Sequence, residues 1–342
     1  MSEQVNIGII GTGKAGLLFG HAVNASKQGN LVALAAATQD EADQASNALG
    51  GVKQVTDDWK ALVGNDEVDA VFICSPTFLH TEMTLAAADA GRHVLCDKPM
   101  CLSSADADRM IAACDKAGVI LMIGFIERFN NAFRVMKDRI QNGQVGDPVS
   151  VLSRRAHPPR KGSWIMDDSK SGGAFLHTGC HNIDLIQWLF DSPVTEVQAI
   201  ERESGISPGF TDLSSVIGRL DNDVMMTQVE SYAHPTTMPM GVDRSFEVLG
   251  TKGSLYLDLL RSPVTLCGED GWKYEDVLTW VNADGQLSGA LVTETDYFID
   301  CVQRNEPPKL ASARDGKRTV LVYEAAKEAA RTGSRVAVKG VS

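Results

Sequence analysis

VNIGIIGTGKAG, residues 5–16, decides how the rest of this chain is read. An unbroken apolar run, Val5 to Ile10, passes directly into Gly11-Thr12-Gly13-Lys14-Ala15-Gly16 and then into a helical pattern. A strand apolar on both faces belongs inside a parallel sheet. The glycines permit a tight turn and a close approach of backbone N–H groups to a pyrophosphate seated at the positive end of the following helix. Strand, turn and helix in this order predict dinucleotide binding, with Gly11, Thr12, Gly13, Lys14, Ala15 and Gly16 as the cradle.

Working outward, the same alternation continues. LVALAAA (31–37), AVFIC (70–74), HVLC (93–96) and VILMIGF (119–125) are further apolar runs, with helix patterns at about 14–28, 39–49, 80–90 and 104–117 between them. That is the order of a doubly wound α/β domain. From about 148 the pattern changes to VSVLSRRA (149–156), VTEVQAIER (194–202), LSSVIGRL (213–220), VMMTQVESY (224–232), RSFEVLG (244–250) and GSLYLDLL (253–260). Turn signals separate the later runs, which predicts an α+β domain with a large, mostly antiparallel open sheet. Met238 and Met240 read as loop and not as a ligand set. Helices at 291–304 and 315–331 end at Gly333, and RVAVKG reads as a short strand or a frayed end. The expected domains are 1–125 and 126–342, with the C-terminal helices packing back on the first.

The 342 residues exceed the size at which one core stops growing, so two domains are expected on length alone. A net charge of −12, with no basic run, argues against nucleic acid and anionic membranes as partners. No basic leader precedes an apolar stretch and no window resembles a membrane span, so the expected location is cytoplasmic. The seven cysteines are scattered, with no C-x-x-C pair, and read as reduced thiols.

An acid is expected at the end of the second strand to hold the ribose hydroxyls of NAD, but Ala36 and Ala37 stand there. Thr38 and Glu41 spell a capping box, with Asp40 in the first helical turn. No Arg or Lys follows to grip a 2′-phosphate, so NAD and NADP both stay open, with a lean to NAD. Ser75-Pro76 and Asp97-Lys98-Pro99 each end a sheet strand at its carboxyl edge, where open α/β sheets bind ligands. A lysine there points to chemistry rather than to a core or a surface charge.

GGAFLHTGCHNID, residues 172–184, holds the other candidate groups. A helix from about Leu176 would place His177, His181, Asp184 and Trp188 on one stripe, flanking an apolar stripe of Ile183, Ile186 and Phe190. Three readings compete. The His-x-x-x-His spacing fits a metal, yet Thr178 stands where a metalloprotease has its glutamate. The two rings fit a structural pair bonded to Asp184 or to backbone. Acid/base chemistry at a cleft between the domains is the reading favoured here, without a metal.

These stretches together resemble the Gfo/Idh/MocA oxidoreductases: GTGKAG, the S-P-x-x-x-H of Ser75 to His80, D-K-P where the family usually has E-K-P, GFIERFNNAF, SGGAFLHTGCHNIDLIQWL and FIDCVQRNEPP. The match runs in order over nearly the whole chain, and it is the ordered set that is specific. The resemblance implies a Rossmann domain followed by an α+β domain whose open sheet often forms a dimer or tetramer interface. It implies a hydride transfer between a nicotinamide cofactor and a secondary alcohol of a sugar, sugar derivative or cyclitol. Lys98 matches the family lysine near the reacting oxygen, and His181 its histidine acid/base. His177 stands where better-known polyol dehydrogenases often have aspartate.

Alcohol oxidation needs a base for the hydroxyl proton as the hydride leaves, and His181 is the expected acceptor. Lys98 would stabilise negative charge on the substrate oxygen, His177 relay a proton or orient the substrate, and Asp184 fix a tautomer. Thr38, Ser75, Pro76, His80, Asp97 and Lys98 complete the expected cofactor contacts. Glu127, Arg128, Arg154, His157 and Trp164 join Lys98, His177 and His181 as substrate contacts. Two alternatives keep the dinucleotide: a redox-neutral glycosidase or epimerase with tightly held NAD, and a non-catalytic regulatory protein.

Overall fold

A computed structural model describes residues 4–238, 241–259, 264–268, 271–274, 276–283 and 286–341; Met240 and Leu260, read above as loop and strand, lie outside these. The chain divides into two compact units. The first gathers Met1–Cys101, Ala105–Phe129 and Leu278–Lys317, and the second Leu102–Ser104, Asn130–Val277 and Arg318–Ser342.

In the first unit, strands β1 (Val5–Ile10), β2 (Gly29–Ala35), β3 (Gln54–Thr56), β4 (Ala70–Ile73), β5 (His93–Asp97) and β6 (Leu121–Gly124) form one parallel sheet in the order β3-β2-β1-β4-β5-β6. Helices α1 (Lys14–Ala25), α2 (Gln39–Ala48), α3 (Trp59–Val63), α4 (His80–Asp89) and α5 (Ser104–Ala117) connect them. The apolar runs become strands buried on both faces, with Ile7, Ile9, Phe72 and Ile73 fully enclosed. Each such side chain contributes about 1.5–3 kcal/mol of burial free energy. The strand order reverses between β1 and β4, which opens a crevice at their carboxyl ends. β3 and α3 escape the sequence reading because three and five residues carry too little periodicity.

The second unit contains α6 (Asn131–Gln141), β7 (Pro148–Ala156), α7 (Asp168–Ser171), α8 (Gly173–His177), α9 (Cys180–Leu189), β8 (Val194–Arg202), β9 (Leu213–Leu220), β10 (Met225–Ser231), β11 (Asp243–Gly250), β12 (Ser254–Asp258) and the hairpin of β13 (Thr265–Gly268) with β14 (Gly271–Tyr274). The chain then returns to the first unit with a second hairpin, β15 (Val281–Ala283) with β16 (Gln286–Ser288), and α10 (Ala290–Arg304); α11 (Ala313–Thr332) begins there and runs on into the second unit, which ends with β17 (Val336–Ala337). Seven strands form the large sheet, ordered β12-β11-β7-β10-β9-β8-β17, antiparallel except for the pairing of β7 with β10. Alternation sorts its faces: Val151, Ser153 and Arg155 of β7 are buried, while Leu152 and Arg154 are turned out. The expected mostly antiparallel sheet is what forms.

The first unit closes with α10. Phe72 is met edge-on by Phe19 of α1 at 5.5 Å and by Phe298 of α10 at 5.4 Å. The hydroxyl of Ser26 donates to Asp296 at 2.6 Å. Among the described residues, no helix is long and apolar enough to cross a membrane.

The turn after β1 permits a direct test. A Cβ on Gly16 would stand 1.8 Å from the Gly11 carbonyl oxygen, whereas a Cβ on Gly13 meets nothing within 4 Å. Gly16→Ala is expected to lose about 1–3 kcal/mol in urea unfolding, and Gly13→Ala to stay within about 0.5 kcal/mol of the parent.

Candidate functional site

The glycine turn has the shape a dinucleotide pyrophosphate requires. Gly11 adopts φ +93°, and a Cβ there would strike the Cys74–Ser75 peptide at 2.7 Å, so β1 and β4 approach as only glycine allows. Gly13 precedes α1 and supplies no capping side chain, the arrangement found where a helix N-terminus receives an anion. Lys14 Nζ lies 5.5 Å from the centre of the Trp280 ring. At the end of β2 the Thr38 hydroxyl accepts the Glu41 N–H at 3.3 Å, so it serves as the cap of α2. Asp40 and Glu41 follow in the first turn of that helix.

At the carboxyl ends of β4 and β5, His80 joins two turns. Its ring is buried, with Nδ1 2.9 Å from the Pro99 carbonyl oxygen and Nε2 2.9 Å from that of Ser75. Burial pulls the His80 pKa down, against the two carbonyls and Asp97, which pull it up. His80 is thus a strut between the Ser75-Pro76 turn and the Lys98-Pro99 turn. Asp97 Oδ1 accepts the Lys98 N–H at 2.9 Å. Burial raises the Asp97 pKa, opposed by Lys98 and His80.

Glu127 and Arg128 follow β6 in a single 3-10 turn, Ile126–Phe129, and both are buried. Arg128 pairs with Asp315 at 3.2 Å, and Asp315 also accepts from the Ser312 N–H and hydroxyl that begin α11. The charge of Arg128 is therefore engaged inside the first unit.

In the second unit, the single helical stripe expected for His177, His181, Asp184 and Trp188 does not form. α8 ends at His177 and α9 begins at Cys180, with a wide turn between them. The N–H groups of Thr178 and Gly179 both donate to the Ala174 carbonyl, at 3.1 and 3.2 Å, and the Cys180 thiol donates to the His177 carbonyl at 3.7 Å. His181 is the second residue of α9 and keeps Asp184 and Trp188 on its own helix, while His177 belongs to the preceding one. Upstream, Gly172 and Gly173 both take positive φ, +77° and +73°, which lets α7 turn directly into α8.

Around the break, three of the expected residues, Trp164, His157 and His177, meet, and Thr178 and Tyr232 join them. Trp164 stands edge-on to His177 at 5.4 Å. His157 stacks on Tyr232 at 5.1 Å and places Nε2 2.8 Å from the Thr178 hydroxyl. Tyr232 lies 6.1 Å from His177, and burial pushes its phenol pKa up against the pull of Arg160 and Arg155. Arg154 is on the other side of β7, half-exposed and paired with Asp243 at 2.7 Å; the arginine turned toward α9 is Arg155, whose Nε is 3.5 Å from Asn182 Oδ1. Tyr232, Arg155, Gln228 and Glu230 were not picked out from sequence. The signal was present in VMMTQVESY, where Met226, Gln228, Glu230 and Tyr232 alternate onto one face. Among the described residues, no group of three or more His, Cys, Asp or Glu side chains is placed to hold a metal ion.

Comparison with known proteins fits this geometry. Residues 5–125 match the description "Oxidoreductase family, NAD-binding Rossmann fold", and residues 137–338 match "Oxidoreductase family, C-terminal alpha/beta domain". The chain is 32% identical to the myo-inositol 2-dehydrogenase of Thermotoga maritima, over 95% of this chain and 96% of that one. It is 29% identical to the 1,5-anhydro-D-fructose reductase of Ensifer adhaerens, over 88% and 89%. The crystal structure of scyllo-inositol dehydrogenase from Lactobacillus casei, with bound NAD(H) and scyllo-inositol, superposes with a TM-score of 0.81 at 25% identity, covering 98% of this chain and 99% of that one. With the loop, the two sheets and the chain order all in agreement, the chain belongs to the Gfo/Idh/MocA oxidoreductase family, an NAD-binding Rossmann domain joined to a C-terminal α/β domain.

Proposed function

We propose that the protein is a dehydrogenase that exchanges a hydride between a secondary hydroxyl of a cyclitol or related sugar and NAD. The observation that carries this reading is the Lys98 turn. Lys98 follows directly on β5 at the carboxyl edge of the sheet, in a turn tied by His80 to the one that follows β4. The nearly full-length match to inositol and anhydrofructose enzymes supports the substrate class.

The bound nicotinamide would accept or return the hydride. In the oxidising direction the substrate C–H and O–H bonds break, a C=O bond forms, and the hydroxyl proton goes to His181. Lys98 lowers the cost of negative charge on the substrate oxygen as that proton leaves. His177, set between Trp164 and Tyr232, orients the ring: aromatic faces take the C–H side of a cyclitol and imidazole nitrogens take its hydroxyls. His157 assists through Thr178. Asp40 and Glu41 after β2 favour NAD, since their charges repel a 2′-phosphate.

The open face of the large sheet carries Leu152, Ile217, Met225, Ile200 and Tyr256, the last two each 73% exposed. Such an apolar face on a sheet supports a homodimer or homotetramer built through it.

Three results are expected. With myo-inositol, scyllo-inositol and anhydro sugars as substrates, nicotinamide absorbance at neutral pH should report turnover, and Lys98→Ala and His181→Ala should each cut kcat by about 10²–10⁴-fold. Turnover of a chromogenic glycoside with retained NAD and no absorbance change would replace this reading with the redox-neutral one. kcat/KM with NADP should fall below that with NAD by at least about tenfold, the ratio that ~1.4 kcal/mol of repulsion produces. In sedimentation, Ile217→Lys with Ile200→Lys should shift the parent oligomer to monomer; an unchanged profile would locate assembly elsewhere.

A further inference from the structure

Gly179, in the break between α8 and α9, has no space for a side chain. A Cβ there would lie 2.3 Å from the Phe175 carbonyl oxygen, 2.8 Å from Gln228 Nε2 and 3.0 Å from Glu230 Cγ. The Gly179 carbonyl begins α9 by accepting the Ile183 N–H at 3.0 Å, and the same oxygen accepts from Gln228 Nε2, also at 3.0 Å. The second N–H of that amide goes to Glu230 Oε1 at 2.8 Å. An amide nitrogen has two hydrogens, and both are committed: one to the helix start, one to a buried carboxyl.

Gln228 and Glu230 are fully buried and stand two apart on the covered face of β10. Glu230 is in register with Arg155 of β7, which reaches Asn182, the residue after His181. Burial raises the Glu230 pKa well above the usual carboxylate range, with Arg155 and the Gln228 hydrogen bond pulling the other way. For stability alone this arrangement is poor, because an apolar pair of the same volume packs as well without the desolvation cost. What the polar pair supplies is location. It ties the first carbonyl of α9 to a strand of the sheet, two residues before His181.

We propose that Gln228, held in place by Glu230, is a positioning residue for the acid/base chemistry: its amide fixes the Gly179 carbonyl and thereby sets where the His181 ring stands. The proposal rests on His181 being the proton acceptor. The sheet is the rigid element and the helix start is the part that needs fixing. A displacement on the order of 1 Å at a reacting group costs about 10²-fold in rate.

The test uses the full chain with NAD and the best polyol of the panel. Gln228→Met keeps the volume and removes both donors; kcat is expected to fall about 10²-fold, with KM for NAD unchanged. Glu230→Gln keeps an acceptor for the Gln228 amide and should restore kcat to within about twofold of the parent, whereas Glu230→Leu should fall as Gln228→Met does. This second pair carries the test if Gln228→Met does not fold. In cofactor-free protein, Gln228→Met should speed amide hydrogen exchange at Cys180 to Ile183 and leave the strands of the Rossmann sheet unaffected. The double variant His181→Ala/Gln228→Met should be no slower than His181→Ala alone. If Gln228→Met costs the same factor with and without His181, it acts on the fold at large and the proposal is overturned while the proton-acceptor reading stands. Full kcat in His181→Ala would sink both.

Discussion

No side chain fits between the carbonyl of Gly11 and the α-carbon of Gly16, and much of the first unit follows from that contact. The turn must be glycine at both ends for α1 to start where β1 stops. Once α1 is pressed on the sheet in that position, Phe19 reaches Phe72, and Phe72 is left with one open edge for Phe298. The close passage of Gly11 against Cys74–Ser75 also brings the ends of β1 and β4 together, at the point where the strand order reverses. A constraint of a few ångströms on backbone alone thus sets the helix, the core beside it and the crevice that receives a nucleotide.

The two units brace the backbone beside their candidate site residues by a common device, a polar side chain that holds an irregular segment. In the first, the His80 ring spans the Ser75 and Pro99 carbonyls and so joins the turns that follow β4 and β5. In the second, the Gln228 amide holds the Gly179 carbonyl, and His157 meets the hydroxyl of Thr178 beside it. A buried polar group in a turn or a helix break needs a partner. Here the partners stand on or beside regular elements, His80 at the start of α4, Gln228 on β10 and His157 directly after β7, so the irregular segment shares their rigidity.

Much of this was legible in the sequence, and what was not has identifiable causes. Strands buried on both faces must be apolar throughout, so VNIGII, AVFIC and HVLC announced themselves, and the T-x-x-E signal at Thr38 gave the start of α2. LHTGCH, by contrast, is compatible with one continuous helix. Its break is fixed by Gln228 and His157, tens of residues away, and local periodicity carries no trace of them. Arg154 and Arg155 are equivalent in composition and differ only in register, which alternation along β7 decides. Glu127 and Arg128 stand at a strand end like Lys98, but the partner that occupies Arg128, Asp315, lies on a distant helix. Lys98 and the His177–His181 segment stood out as candidates because their residue types are rare at such places.

The return of residues 278–317 to the first unit has a consequence for synthesis. Phe298 and Ile299 are fully buried there, so the nascent chain emerging from the ribosome has all six strands of the Rossmann sheet long before it has the helix that seals them. The apolar surface around Phe72 and Gly29 stays uncovered while more than 150 further residues are made, since β6 ends at Gly124 and α10 begins at Ala290. Vectorial folding, with an N-terminal domain completed before its successor appears, is therefore closed to this topology. A helix made after the whole large sheet is the one that completes the module begun first.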